Sequence, residues 1–271
     1  MRIALTVAGS DSGGGAGIQA DLKTFHQFGV FGTSVIAAVT AQNTRGVVAW
    51  EPVSRDLVSR QLDALILDLP PDGIKSGMLA SAPLVETVAE ALQRLPTKPY
   101  VLDPVLVATS GHPLGDDATA EAIRRHLVPL ATLVTPNLAE AERLTGIEVK
   151  TPEQMEQAGR ALLKNGAAAA LLKGGHLEGD EVIDVLVRPE GYRRFKHRRI
   201  ASTSTHGTGC TLSAAITAGL ALGRPLERSV EDAIDYVQRA IAAAPQLGGG
   251  RGPLNHFVPA PRGAPNELLD G

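Results

Sequence analysis

Cysteine occurs once in these 271 residues, and aromatic side chains are scarce: five Phe, three Tyr and one Trp. Neither sign of charge dominates, with 26 Lys plus Arg against 29 Asp plus Glu. One cysteine excludes an intramolecular disulfide, which predicts a reducing, cytoplasmic setting. The formal net charge of −3 removes the broad electrostatic reason to bind nucleic acid or an anionic membrane, while leaving local anion sites open. So few aromatics offer no stacking platform for single-stranded nucleic acid and predict an aliphatic core. No apolar run approaches the roughly 18 residues of a membrane span, and the start from Met1 to Ala8 has too little basic lead-in for a signal peptide.

What is present is a regular alternation. Short β-branched runs (Ile3 to Val7, Ser34 to Val39, Gly73 to Lys75, Tyr100 to Leu102, Leu133 to Thr135, Ala169 to Leu172) are separated by helical patterns. Those patterns cover Ile18 to Phe28, Leu57 to Leu67, Leu84 to Leu95 and Ala118 to Leu127, with further helices beginning at Leu138 and Pro152. Parallel strands need crossover helices, so this cadence predicts an α/β fold in three layers, a mostly parallel central sheet with helices on both faces. Val182 to Val187 and Tyr192 to Phe195, around Pro189-Glu190-Gly191, read as a hairpin at the sheet edge. Two last helices follow, from about Thr208 to Leu222 and from about Leu226 to Ala244. With no linker-like break, one domain is expected over residues 1–258, and a flexible Pro- and Gly-rich tail over 259–271. Ligands of such sheets sit beyond the carboxyl ends of the strands.

Several segments at that rim carry chemistry. Gly15-Ala-Gly-Ile-Gln-Ala20 fits the dinucleotide pattern by letter, but the second strand ends in Gln42-Asn43-Thr44 with no acid for a ribose. The Walker pattern is absent, so Gly9 to Gly17 reads as a glycine turn that lets backbone approach a ligand. The polar stretch Thr203 to Thr211 opens onto a small-residue helix, and free N–H groups there form a cradle for phosphate charge. Cys210 stands in that helix's first turn, where the dipole favours a thiolate; the plainer alternative is a buried, inert thiol. Asn137 and Glu140 read as an N-cap and its capping-box partner, or as hard oxygens for the water shell of Mg²⁺. Asp103 sits at a strand end before a proline, and Lys173-Gly-Gly-His176 adds an exposed cation for phosphate contact on a glycine hinge. Together these residues suit a metal-bound polyphosphate.

The segments Ala8 to Lys23, Thr40-Ala-Gln-Asn-Thr44, Ile74-Lys-Ser-Gly-Met78, Asp103-Pro-Val105, Thr135 to Glu140 and His206-Gly-Thr-Gly-Cys210 resemble the ribokinase-like superfamily. Within it the likeness is to the bacterial hydroxymethylpyrimidine/phosphomethylpyrimidine kinases of thiamin biosynthesis, and it extends to about Phe257. The resemblance implies a homodimeric enzyme that uses Mg-ATP to phosphorylate 4-amino-5-hydroxymethyl-2-methylpyrimidine and then its monophosphate. It implies that Gln42 binds the aminopyrimidine, that Met78 and Val105 line its faces, and that the Gly9 loop closes nearby. Asp103, Asn137 and Glu140 would organise Mg²⁺ through water, with Asn137, Glu140 and Lys173 serving the nucleotide. Backbone N–H groups of Gly207, Thr208, Gly209 and Cys210 would stabilise the transferring phosphoryl group. Where the wider superfamily carries an Asp base, this chain has Cys210, read here as the base for the hydroxymethyl proton. Alternatives are a pyridoxal kinase of the same fold, a cysteine hydrolase using Cys210 with His206, and a non-catalytic nucleotide-binding module.

Overall fold

The computed structural model describes residues 1–107, 111, 114–175 and 179–261. One nine-stranded sheet runs through it, comprising β1 (Ile3–Asp11), β2 (Phe31–Asn43), β3 (Gly46–Pro52), β4 (Gly73–Ser76), β5 (Tyr100–Leu102), β6 (Leu133–Val134), β7 (Ala170–Leu172), β8 (Glu181–Arg188) and β9 (Gly191–Arg198). The spatial order is β3-β2-β1-β4-β5-β6-β7-β8-β9. The six strands from β2 to β7 pair in parallel, and antiparallel hairpins close both edges, β2 with β3 and β7 through β8 to β9.

Alternation along the strands sorts side chains to two cores, as period-two geometry requires. Leu5, Tyr100, Leu102 and Leu172 join one core with α2 (Arg55–Asp68), α3 (Ala82–Gln93), α5 (Leu138–Thr145) and α6 (Pro152–Lys164). Ala4, Val101 and Leu171 join the other with α1 (Gly17–Gln27), α7 (Thr208–Ala221) and α8 (Leu226–Ala242). The expected three layers are therefore present. The packing is mainly aliphatic as expected, with Phe25, Tyr100 and Phe195 also buried and Phe28 meeting Tyr236 edge to face at 5.3 Å. α7 is buried on nearly every side, which suits its run of Ala, Thr, Ser and Gly and places its start in the middle of the molecule.

Three readings change. β2 is 13 residues long rather than ending at Val39, and it returns through β3, a strand the β-branched pattern did not isolate. β1 runs to Asp11, so Gly9 is a strand residue beside a register shift, paired with Ala38, and the glycine turn starts later. The helix expected over Ala118 to Leu127 is α4 (Asp117–Ala122) continued by a π-helical turn, Ile123–Leu127. Of the expected tail, residues 262–271 lie outside the described residues, as does His176.

Candidate active site

A cleft of about 880 Å³ opens along the carboxyl ends of the parallel strands. It is lined by Gly9, Gln42, Met78, Asp103, Val105, Asn137, Glu140, Lys173 and Gly207 to Cys210, so every expected site residue reaches one cavity. The backbone explains much of this convergence. Gly207 is the N-cap of α7 at φ +82°, and a Cβ there would overlap the carbonyl oxygen of Gly15, so only glycine lets the two loops interlock. No side chain caps α7. Its first-turn N–H groups have no intrahelical acceptor and lie at the positive end of the helix, although Thr208 N–H leans to Thr205 O at 3.4 Å. At Gly9 a Cβ would crowd the Met78 side chain, coming 3.1 Å from Sδ.

At one end of the cleft a polar network joins the two glycine segments. Asp11 Oδ1 accepts from Gly13 N at 2.8 Å, and Oδ2 accepts from Gly15 N at 3.0 Å, Ala16 N at 2.8 Å and the His206 ring at 2.8 Å. Burial opposes the Asp11 charge, but these donors, His206 first, hold the carboxyl below its ordinary value. Gln42 is tied to the same turn, its N–H donating to Ser12 Oγ and its carbonyl accepting from that hydroxyl.

At the other end, charges face each other. Lys173 Nζ donates to Asp103 Oδ1 at 2.8 Å and lies 3.9 Å from Glu140 Oε2. Asp103 also accepts from Thr135 Oγ1 and Ser213 Oγ, both at 3.3 Å. Although buried, Asp103 is kept below the usual carboxylate range by Lys173 and Lys75. Burial instead pushes Glu140 up to about 7, against the pull of Lys173. The capping box is formed, with Glu140 N donating to Asn137 Oδ1 at 2.9 Å and Asn137 N to Glu140 Oε2 at 2.8 Å. Among the described residues no group of three or more His, Cys, Asp or Glu side chains is placed to hold a metal ion directly. Oxygens already engaged in this way could still accept from the water shell of a hydrated Mg²⁺.

Two expectations about this end are corrected. Lys173 is not an exposed rim lysine: its side chain is only 14% exposed and paired. Nor is Gly174 a hinge, because its N–H donates to Asp184 Oδ1 at 2.8 Å and a Cβ would overlap Ile183 O. The expected thiolate is also reversed. Burial pushes the Cys210 thiol up to about 11, with Lys75 pulling the other way and the Gly17 N–H turned to the sulfur. Desolvation of the charged form outweighs the helix end. His206, its proposed partner in a hydrolase, is bonded to Asp11 through Nε2.

Sequence reasoning missed four polar groups. Lys75, fully buried, donates to both oxygens of the fully buried Asp21 at 2.8 Å, and Asp21 accepts from Thr6 Oγ1 at 2.6 Å. A lysine inside a buried four-residue strand was the available signal. Asp11 was hidden within the glycine segment. Asp184, bonded to His197 at 3.2 Å, lies on the edge hairpin, which with α8 lines the far end of the cleft.

The phosphomethylpyrimidine kinase family matches residues 11–255. A hydroxymethylpyrimidine/phosphomethylpyrimidine kinase of Rhizobium meliloti is 50% identical over 258 residues, covering 94% of this chain and 97% of its own. Among solved structures, a phosphomethylpyrimidine kinase of Clostridium difficile superposes with a TM-score of 0.80 at 40% identity, covering 89% of this chain and all (100%) of its own. A Bacillus subtilis pyridoxal kinase, solved as an ADP complex, does so with a TM-score of 0.88 at 36% identity, covering 94% of this chain and 97% of its own. With that coverage, and the motif residues gathered in one cleft, the chain belongs to the phosphomethylpyrimidine kinase family.

Proposed function

We propose that this chain transfers the γ-phosphoryl group of ATP to 4-amino-5-hydroxymethyl-2-methylpyrimidine, and in a second turnover to the resulting monophosphate. The observation carrying this reading is the single cleft that holds Gln42 at one end, Lys173 at the other and the uncapped start of α7 between them. A carboxamide offers a donor and an acceptor side by side, matching the amine and ring nitrogen of the heterocycle, while Met78 and Val105 cover its faces. Lys173 and the first-turn amides of Gly207 to Cys210 meet the phosphates, where preorganised donors supply most of such catalysis. Asp103, Asn137 and Glu140 would hold Mg²⁺ through water, and the ion would supply charge neutralisation to the phosphates. The same reading carries a homodimer working in the cytoplasm.

In the first turnover the hydroxymethyl oxygen bonds to the γ-phosphorus as the bond to the bridging oxygen breaks, leaving ADP. The alcohol proton passes to Cys210 Sγ. Because the thiol sits at about 11, this base acts through a small thiolate fraction that grows about tenfold per pH unit. In the second turnover the nucleophile is already a phosphate anion and needs no such base. ADP release is therefore to be followed with Mg-ATP and first the alcohol, then its monophosphate. Cys210→Ala should lower kcat for the alcohol far more than for the monophosphate, and wild-type kcat should climb from pH 7 to 9 for the alcohol alone. Equal losses in both turnovers remove the base role. Because relatives of this fold at 31–36% identity are named pyridoxal kinases, pyridoxal belongs in the same assay, and a higher kcat/KM for it would replace the pyrimidine reading.

A further inference from the structure

We propose that Asp11 and His206 act as positioning residues that fix which way round the Gln42 amide lies, and thereby which edge of a heterocycle the site accepts. This rests on the functional reading above and adds the source of its selectivity. Hydrogen-bond accounting carries it. Gln42 Nε2 is placed 3.3 Å from His206 Nε2 and Oε1 3.3 Å from Thr40 Oγ1, an arrangement that the surrounding hydrogens oppose. His206 Nε2 is also 2.8 Å from Asp11 Oδ2, an acceptor-only carboxylate, so Nε2 bears the hydrogen. The Thr40 hydroxyl has one hydrogen and donates it to Ser10 O at 3.0 Å. Gln42 therefore meets a donor at His206 and an oxygen free to accept at Thr40. With nitrogen toward His206, two donors would oppose each other and the Thr40 hydrogen would have to serve two carbonyl oxygens. Turning the amide, with the carbonyl oxygen toward His206 and the NH₂ toward Thr40, removes the opposed donors and leaves the Thr40 hydrogen to Ser10 O alone, at the cost that the Nε2 hydrogen is shared between Asp11 Oδ2 and the Gln42 oxygen. Oxygen and nitrogen of an amide are assigned by such networks.

The partners are themselves immobile. Three backbone N–H groups of the glycine turn converge on Asp11, and Ser12 clamps the Gln42 backbone from the same turn. His206 is buried and directly precedes the N-cap of α7, which Gly15 locks in place. The amide then presents one remaining lone pair on the His206 side and one remaining N–H on the Thr40 side. A 4-aminopyrimidine answers both, its amine giving to the oxygen and its ring nitrogen taking from the NH₂. Amine and hydroxymethyl occupy adjacent ring carbons, so an amine on the His206 side turns the hydroxyl toward Gly207 to Cys210. The 4-oxo analogue in its lactam form carries the reverse pattern, acceptor where the amine was and donor where the ring nitrogen was. A fixed amide rejects it by a factor of about 10⁴, because buried polar groups are left facing their own kind.

The test compares kcat/KM for the 4-amino and 4-oxo 5-hydroxymethyl-2-methylpyrimidines in wild type, His206→Met and His206→Gln. Losing the ring N–H frees the amide to turn, so His206→Met should shrink the amino/oxo ratio about tenfold or more, the worth of one hydrogen bond, mainly through KM. His206→Gln returns an N–H near the same place and should restore most of the ratio. A constant ratio, with both substrates losing equally in both variants, overturns the proposal, since that is what a purely structural role gives. A neutron structure of the deuterated free protein tests the same point without turnover. It should show deuterium on His206 Nε2 and the Gln42 ND₂ group toward Thr40, and an ND₂ group facing His206 overturns the proposal. Wild type that phosphorylates neither pyrimidine sinks the functional reading alone, and the neutron result then decides the positioning claim.

Discussion

Two buried lysines stand on neighbouring parts of the cleft floor and make opposite use of the same chemistry. Lys75, fully buried, gives its ammonium to one carboxylate, Asp21, which is equally buried and further satisfied by Thr6. Burial would depress such an amine, yet Asp21 beside it holds it protonated, above its ordinary value. Lys173, 14% exposed, is shared between Asp103 and Glu140 at unequal distances, 2.8 and 3.9 Å. The first pair is closed, so its charge has nowhere else to go. The second leaves one carboxylate underserved, and that is Glu140, pushed up to about 7 by its burial. A closed ion pair ties β4 to α1, whereas on the proposed function an open one would keep charge in reserve for an incoming polyphosphate. On that proposal, strength of pairing separates the lysine that shapes the site from the lysine that would work in it.

The largest effect should come from breaking the closed pair. Lys75→Met strands the buried Asp21 carboxyl without its cation, so that it must either stay charged in an apolar setting or take up a proton that burial already favours; breaking such a pair costs about 3–5 kcal/mol. Urea unfolding should register it as a lower midpoint at unchanged slope. Lys75→Met with Asp21→Asn should recover much of the loss, and a double variant no better than the single one would break the distinction drawn here. Alkaline titration sharpens it. A lysine whose folded value is raised contributes stability that is complete below its unfolded value near 10.5 and is lost only as pH climbs through the folded one, so wild type should hold its midpoint through pH 10. Next in size is Lys173→Met. It should lower the midpoint less than Lys75→Met does, because Asp103 keeps Thr135, Ser213 and the nearby charge of Lys75, but lower kcat/KM for ATP by about 10²–10³, as loss of a donor to a developing charge does. A midpoint shift as large as that of Lys75→Met would make both lysines structural.

The contrast also marks what could be read from sequence. Strand and helix alternation was legible because each parallel strand is apolar on both faces, and the rim residues followed because ligands gather at carboxyl ends. Gly207 to Cys210 was legible for the same reason that α7 is unusual: a polar, glycine-bearing entry to a helix of small residues. Burial was not legible. Lys173 looked like a solvated cation, Cys210 like a thiolate and Gly174 like a hinge, because each property depends on what other strands bring alongside. Asp184 and Ile183, which fix Gly174, lie about ten residues on in β8. Lys75 and Asp21 are 54 residues apart, and neither position carries a local pattern that predicts the other. The β2 extension escaped because Thr40 and Gln42 point polar groups into a cleft, so the strand loses its apolar signature where it becomes functional.

The smallest expected effect lies in the open pair and concerns pH. Glu140, with a folded value near 7 against 4.5 for the free side chain, loses its proton only as the solution passes neutrality. Below that point the neutral acid offers one acceptor fewer to a hydrated cation. Above it, the carboxylate faces Lys173 and could accept from the water shell of a bound Mg²⁺. KM for Mg-ATP should therefore fall severalfold from pH 6 to pH 8, about the tenfold that one unit of differential binding allows, while KM for the pyrimidine stays level. Glu140→Gln, which keeps an oxygen for the Asn137 N–H, should flatten the profile at a high KM. The sign is diagnostic: a carboxyl raised by burial destabilises the folded chain as pH rises from 4.5 to 7, since the unfolded state has already released its proton. The midpoint for unfolding should then drift down from about pH 4.5 and level off above 7, falling while nucleotide affinity begins to improve. If the two moved together, Glu140 would belong with the closed pair, and its capping of α5 would be its whole role.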